Sequence, residues 1–347
     1  MDYIAITPAQ SDAVLATLAD IPAPSADADA PAQLLTRCPA AGETPLVHSE
    51  ALATRAKVGT VWVKDERTRM GLGSFKALGA AYVIACDAEN GTAKGQTYVT
   101  ASAGNHGLSV AAGAAAFGAK AVIYLSETVP ETFAQRLRDI GAEVRRAGAI
   151  YEDSMAAASK DAQSNGWTLL SDSSWPGYVN RPHRLMEGYT VLMQEAVGQM
   201  PEAPTHIFLQ AGVGGLAAAC AVSARKAWGD APHITVVEPD AAPALFASIQ
   251  AGSAQVTEGP VSAMGRLDCK EPSLIALKGL AADANGFMTI TEAEGEEGST
   301  ACTKAGLPST PSGAAGIAGL LAGRNTSALN LTNTSRVLVI LSEEATT

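Results

Sequence analysis

From Thr60 onward the chain alternates short apolar runs with segments of helix length, and glycines or serines mark most of the junctions. Val61-Trp62-Val63-Lys64, Thr97–Ala101, Ala121–Leu125, Glu143–Arg145, His206–Gln210, His233–Glu238 and Val337–Leu341 read as strands. Between them Ala77–Ala88, Gly107–Phe117, Thr132–Ile140, Ser154–Asn165, Met186–Val197 and Gly214–Ala227 read as helices, the first capped by Ser74 and the fourth ended by Gly166. Strands separated by single helices do not form hairpins. They pair in parallel through helical crossovers, which predicts an α/β fold with parallel sheets and helices on both faces. Residues 1–35 read as an extended arm with one short helix, and residues 250–300 show little periodicity.

A chain of 347 residues suggests about two domains. The expected division is a large domain of residues 1–79 plus 186–347 and a smaller α/β domain of residues 80–185, with the site in the cleft between them. Apolar residues make up 47% and charged residues 17%, so a core can form and disorder is excluded. The net charge of −11 argues against nucleic acid and against an anionic membrane surface as partners. No apolar run is long enough for a membrane span, and Met1-Asp2-Tyr3 does not begin a signal peptide. Five scattered cysteines without C-x-x-C spacing fit a reducing cytoplasm.

Three segments at strand-to-helix junctions could carry chemistry. Lys76 opens a helix between Phe75 and Ala77-Leu78. The helix dipole and the apolar setting both disfavour its charge, so a lowered pKa is expected, which suits Schiff-base chemistry. The plain alternative is a lysine that reaches solvent along its stem. Ser102-Ala103-Gly104-Asn105-His106-Gly107 follows a strand and opens a helix, where small residues and free N–H groups suit a carboxylate or phosphate. It also reads as a helix start capped by Ser102 or Asn105. Gly212-Val213-Gly214-Gly215-Leu216-Ala217 can cradle a phosphate, and it also fits the dinucleotide fingerprint, with Glu238 placed to meet a ribose. On that segment alone an NAD-dependent dehydrogenase is a fair reading. No zinc-binding His pair, nucleophile elbow or P-loop occurs, and no metal is expected.

Taken together and in this order, the three segments resemble the pyridoxal-phosphate (PLP) enzymes of fold type II. That is the tryptophan synthase β and serine/threonine dehydratase group, and within it diaminopropionate ammonia-lyase. Further carriers of the resemblance are Lys64-Asp65-Glu66, Trp175-Pro176-Gly177-Tyr178 continuing to Pro182, Met186, Gly188 and Tyr189, then Val237-Glu238-Pro239 and Leu341-Ser342-Glu343-Glu344. The resemblance implies that Lys76 bonds the cofactor covalently and that Asn105 meets its phenolic oxygen. It implies that Gly212, Val213, Gly214, Gly215 and Leu216 hold its phosphate and that Ser342 faces its ring nitrogen. Ser102, Ala103, Gly104, Asn105 and His106 would bind the substrate carboxylate.

The implied activity is a PLP-dependent β-eliminating ammonia-lyase. Its substrate would be a small β-substituted α-amino acid, diaminopropionate-like or 3-hydroxyaspartate-like, converted to a 2-oxo acid and ammonia. A racemase or β-replacement enzyme on the same fold is the alternative within that chemistry. A homodimer is expected. The chain departs from the lyase pattern at Ala103, where that family has an aspartate, and at Arg181, His183 and Arg184, where it is more often neutral. Those three read either as a solvated turn or as positive charge near the cleft for a substrate with an anionic side chain.

Overall fold

Two sheets organise the chain, and the functional segments leave them at their carboxyl edges. The structure is a computed structural model and describes residues 1–345. The larger sheet has the order β1 (Asp2–Ala5), β10 (Gly286–Ile290), β9 (His233–Pro239), β8 (His206–Gln210), β11 (Arg336–Leu341), β3 (Thr60–Asp65), β2 (Leu46–His48). The smaller has the order β6 (Glu143–Arg146), β5 (Lys120–Leu125), β4 (Thr97–Ala101), β7 (Thr168–Leu169). The inner strands are parallel, and β8 is buried along its whole length because helices cover both faces.

The helices are α1 (Pro8–Thr17), α2 (Asp29–Leu35), α3 (Glu50–Ala56), α4 (Lys76–Glu89), α5 (Asn105–Ala116), α6 (Glu131–Asp139) and α7 (Tyr151–Asn165). They continue with α8 (Asn180–Gln199), α9 (Gly215–Trp228), α10 (Ala244–Ala251), α11 (Leu274–Asp283), α12 (Glu292–Lys304) and α13 (Ala315–Gly323). The expected α/β class and the expected inner strands are present.

Four details differ from the sequence reading. Residues 1–35 are no arm: β1 pairs antiparallel with β10, and Thr7 closes a capping box on α1. Both edge strands of the large sheet, β1 and β2, are antiparallel, so that sheet is mixed. α8 begins at Asn180, not Met186, because a proline in the first turn of a helix removes no internal bond. Arg181, His183 and Arg184 therefore stand on a helix and not on a turn. Ser74 does not cap α4 through its side chain; the cap residue is Phe75, and the Ser74 hydroxyl is buried without a partner among the described residues.

The segment between β3 and α4 is anchored by a buried cluster of charges. Lys64 donates to the Thr44 carbonyl at 2.6 Å, to Glu195 at 2.7 Å and to the Gln199 side chain at 3.0 Å. Arg69 donates through Nε and Nη2 to Glu66, each at 2.7 Å, and through both Nη atoms to Glu195 at 2.8 and 2.7 Å. Nη1 also reaches the Gly42 carbonyl, and Nη2 is shared with the Thr44 hydroxyl, both at 2.9 Å. Two cations and two carboxylates balance one another here, which is what tolerates their burial.

Candidate active site

Lys76 is the first residue of α4, and the segment before it is held by the exit of β11. The Phe75 N–H donates to the Ser342 carbonyl at 3.1 Å, and Ser74 and Glu343 form an isolated bridge. The Lys76 amine donates to Asp172 Oδ2 at 2.5 Å. Burial works to strip the amine of its proton, but the Asp172 carboxylate outweighs it, so the pKa is raised and not lowered as the apolar neighbours suggested. Burial likewise works to protonate Asp172, and the Lys76 charge overrides it, leaving the carboxyl well below its usual range.

Asp172 lies just past the carboxyl end of β7, on a loop fixed at both sides. The Ser171 N–H donates to the Tyr178 hydroxyl at 3.0 Å, which donates to the Leu169 carbonyl at 2.9 Å. Trp175 stacks on Tyr178, and the Ser174 and Ser273 hydroxyls are 2.7 Å apart. The Trp-x-Gly-Tyr stretch thus acts as a brace for Asp172.

The start of α5 is capped in part by the loop before it. Gly104 is its cap residue with no side-chain bond, and Ser102 Oγ accepts from the N–H groups of Gly104 and Gly107, each at 3.2 Å. Asn105 Nδ2 donates to Glu343 Oε2, and Thr310 Oγ1 donates to Glu343 Oε1. One N–H of the Asn105 amide is left for another acceptor. His106 is buried, with Nε2 2.8 Å from the Leu170 carbonyl and Nδ1 unpartnered among the described residues. Arg266 crosses from the segment between α10 and α11 to this loop. Its Nε is 3.5 Å from Glu343, and its side chain would lie 3.4 Å from a Cβ on Gly104.

The glycine loop is equally shaped by closeness. Gly214 has φ +97°, and a Cβ there would also lie 3.0 Å from the Ala276 and Leu245 side chains. It caps α9 with no side-chain bond, so the first N–H groups of that helix stay free for an anion. Gly212 borders Cys269 and the backbone of Arg266 and Leu267.

Glu238 takes no part in this. It is fully buried and accepts from the N–H groups of Leu245 at 2.8 Å and Phe246 at 2.7 Å, at the start of α10. Burial pushes its carboxyl up to about 8, with the two backbone donors pulling the other way. A carboxylate so engaged has no ribose to meet, and the NAD-dehydrogenase reading loses its acidic partner.

Shared neighbours tie the expected site residues together. Phe75 and Ser342 link Lys76 to Glu343 and Asn105, and Tyr189 touches both the Lys76 and Gly215 surroundings. Arg181, His183 and Arg184 are turned elsewhere. Arg181 lies 3.1 Å and Arg184 3.9 Å from Asp87, and His183 Nε2 is 3.0 Å from the Ala23 carbonyl. Sequence reasoning missed Asp172, Glu343, Thr310 and Arg266 as neighbours of the site. Asp172 had one usable signal: a carboxylate just after a strand of a parallel sheet sits where such sheets bind ligands.

These features fit PLP. A half-buried lysine stands near a glycine cradle that excludes side chains and offers free N–H groups, and buried polar atoms on His106, Tyr189 and Ser74 lack partners among the described residues.

The family described as pyridoxal-phosphate dependent enzyme matches residues 38–343. Diaminopropionate ammonia-lyase of Salmonella typhimurium is 35% identical over 261 residues, 67% of this chain and 65% of that protein. The protein of the same name from Escherichia coli K12 is 33% identical over 270 residues, 72% of this chain and 68% of that protein. The chain thus matches about two thirds of the length of these relatives. A crystal structure of the Escherichia coli lyase, in complex with an aminoacrylate-PLP azomethine reaction intermediate, superposes with a TM-score of 0.86 at 28% identity, covering 99% of this chain and 93% of that one.

Proposed function

The chain belongs to the pyridoxal-phosphate dependent enzymes, and from that premise we propose that it is a β-eliminating ammonia-lyase. The substrate class is a small β-substituted α-amino acid, diaminopropionate before 3-hydroxyaspartate-like compounds, and the products are a 2-oxo acid, ammonia and the β leaving group. The observation that carries the reading is the Lys76 amine, half-buried at the start of α4 and 2.5 Å from the Asp172 carboxylate. The similarity to lyases that act on diaminopropionate supports the substrate class.

In this reading Lys76 bonds the cofactor, the N–H groups of Gly212 to Leu216 hold its phosphate, Asn105 meets its phenolic oxygen and Ser342 its ring nitrogen. PLP supplies a carbonyl for the substrate amine and a conjugated ring that accepts the electron pair left at Cα. The segment from Ser102 to His106 at the start of α5 binds the substrate carboxylate through the N–H groups that its own cap leaves free. Lys76, once its amine is free, takes the proton from Cα, and Asp172 holds the amine in place and shares its proton. Ser342 offers the ring nitrogen a neutral hydroxyl and no charge, which favours expulsion of the β-group over storage of the electron pair.

The division into domains of residues 1–79 plus 186–347 and 80–185 belongs to the same proposal, as do a homodimer and a cytoplasmic location. All five cysteines are free, which supports a reducing compartment. The test is direct. Borohydride is added to the PLP-loaded protein, and the pyridoxyl peptide is mapped; an adduct on Lys76 is expected. Release of ammonia and 2-oxo acid is then compared for diaminopropionate, serine, threonine, 3-hydroxyaspartate and cysteate in both isomers. An adduct on another lysine, or racemisation without ammonia, overturns the reading.

A further inference from the structure

The hydroxyl of Tyr189 is buried and has no hydrogen-bond partner among the described residues. Such a group forfeits the bond it makes with water in the unfolded chain, so its burial calls for a partner that comes and goes. The ring sits where it does because two glycines leave room. A Cβ on Gly79 would lie 2.6 Å from ring Cε1 and 2.9 Å from Cζ, the carbon that bears the hydroxyl. On the other edge, a Cβ on Gly215 would lie 3.7 Å from Cε2. Phe75 meets the ring edge-on with centroids 4.9 Å apart, and the Lys76 amine is 5.7 Å from the ring centroid. Tyr189 therefore stands between the residue that carries the amine and the start of α9.

The other titratable groups around the amine come from different elements. They are Asp172 after β7, His106 on α5, Cys269 in the segment between α10 and α11, and Tyr151 on α7, whose phenol feels the charge of Asp172. Asp172 is the only one of them bonded to the amine. Burial keeps the Tyr189 phenol protonated far above neutral pH, so it acts as a donor.

We propose that Tyr189 is a positioning residue for Lys76: its hydroxyl donates to the amine while the amine is uncharged and holds it ready to rebond the cofactor. The proposal rests on the reading of Lys76 as the cofactor-bearing residue. A lysine that must leave and rejoin its cofactor in each turnover has two states to occupy. Paired with Asp172 alone, the free amine stays an ammonium, which is neither nucleophile nor base. A neutral donor offers it a second position that does not charge it.

The experiment is competitive acetylation of the full chain stripped of cofactor, across pH, with the Lys76 peptide quantified against a reference amine. Tyr189→Phe keeps the ring and removes the donor. The midpoint for Lys76 is expected to move up, so that labelling below the midpoint slows about three- to ten-fold, the size of one neutral hydrogen bond. A purely packing role for Tyr189 leaves the midpoint in place, and an unchanged profile overturns the proposal. Should the Phe variant fail to fold, wild-type protein grown with 3-fluorotyrosine, a stronger donor, is expected to move the midpoint down; no movement overturns it equally. Borohydride mapping of the loaded protein is independent of both, so a wrong assignment of Lys76 is told apart from a wrong role for Tyr189.

Discussion

Lys64, fully buried, and Lys76, half-buried, each have a carboxylate oxygen close by, at 2.7 Å on Glu195 and at 2.5 Å on Asp172. What differs is how completely each is satisfied. Lys64 uses its three donors on three acceptors, and its carboxylate is shared with Arg69, whose donors are also all engaged. Lys76 has one bonded partner, and the Tyr189 hydroxyl and His106 Nδ1 near it have none among the described residues. A closed network holds backbone in place; an open one leaves room for a ligand to complete it. The pKa directions run against the simple rule that a reactive lysine is a depressed one. Burial wins at Lys64 and lowers it, whereas Asp172 wins at Lys76 and raises it.

The sharpest way to break this contrast is to remove each amine. Lys76→Ala is expected to abolish ammonia release and to leave no borohydride-trapped peptide. Lys64→Met is expected to keep the trapped peptide on Lys76, at reduced stability. Trapping that moves to Lys64 would reverse the assignment.

A smaller effect is expected from Asp172→Asn, which keeps the shape and removes the charge. The carboxylate favours the ammonium, so without it burial prevails and the Lys76 acetylation midpoint falls. Turnover should drop by about 10²- to 10⁴-fold, the usual range for a group that handles a proton. Measured kcat unchanged alongside a shifted midpoint would confine Asp172 to holding the amine.

Arg69→Met probes the closed network. It leaves Glu66 and Glu195 with one cation between them, and opening a buried pair this way costs about 3–5 kcal/mol. Urea unfolding should show that loss, while the Lys76 acetylation midpoint stays where it is. A shifted midpoint would mean that the two networks are one.

The smallest effect concerns a pair of histidines remote from both. His206 and His233 have ring centroids 5.8 Å apart, and the Tyr3 hydroxyl is 3.1 Å from His233 Nε2. Burial holds both below the usual histidine value, His233 at about 4. The folded state therefore binds fewer protons than the unfolded one below about pH 6.5. Their contribution to stability is complete above that pH and is lost as pH falls toward 4. His233→Gln should flatten the acid limb of Tm against pH by a few degrees and leave the pH dependence of turnover untouched.

Local pattern carried much of this molecule. The inner strands other than β10, the Gly166 helix end and the three glycine- or lysine-bearing segments could be read because each depends on neighbours within a few residues. The pairing of Asp172 with Lys76 could not, since the two meet across 96 positions and only the packing of β7 against β4 brings them together. The direction of the Lys76 shift was misread for the same reason: the desolvating neighbours are local and the opposing charge is not. β1 was missed because its partner β10 lies at the other end of the chain, and the start of α8 because Pro182 reads equally as a turn.

β11 is last of the strands in chain order, yet it lies between β8 and β3 and joins the two halves of the large sheet. Until it inserts, β2 and β3 have no connection to β8, β9 and β10, and the residues that follow it, Ser342 and Glu343, cannot reach Phe75 and Asn105. Parallel pairing at such sequence separation is slow to nucleate. During synthesis, then, the surroundings of Lys76 are completed only after β11 has been made. A nascent chain still emerging from the ribosome can fold its smaller sheet, but it has no finished place to hold a reactive aldehyde.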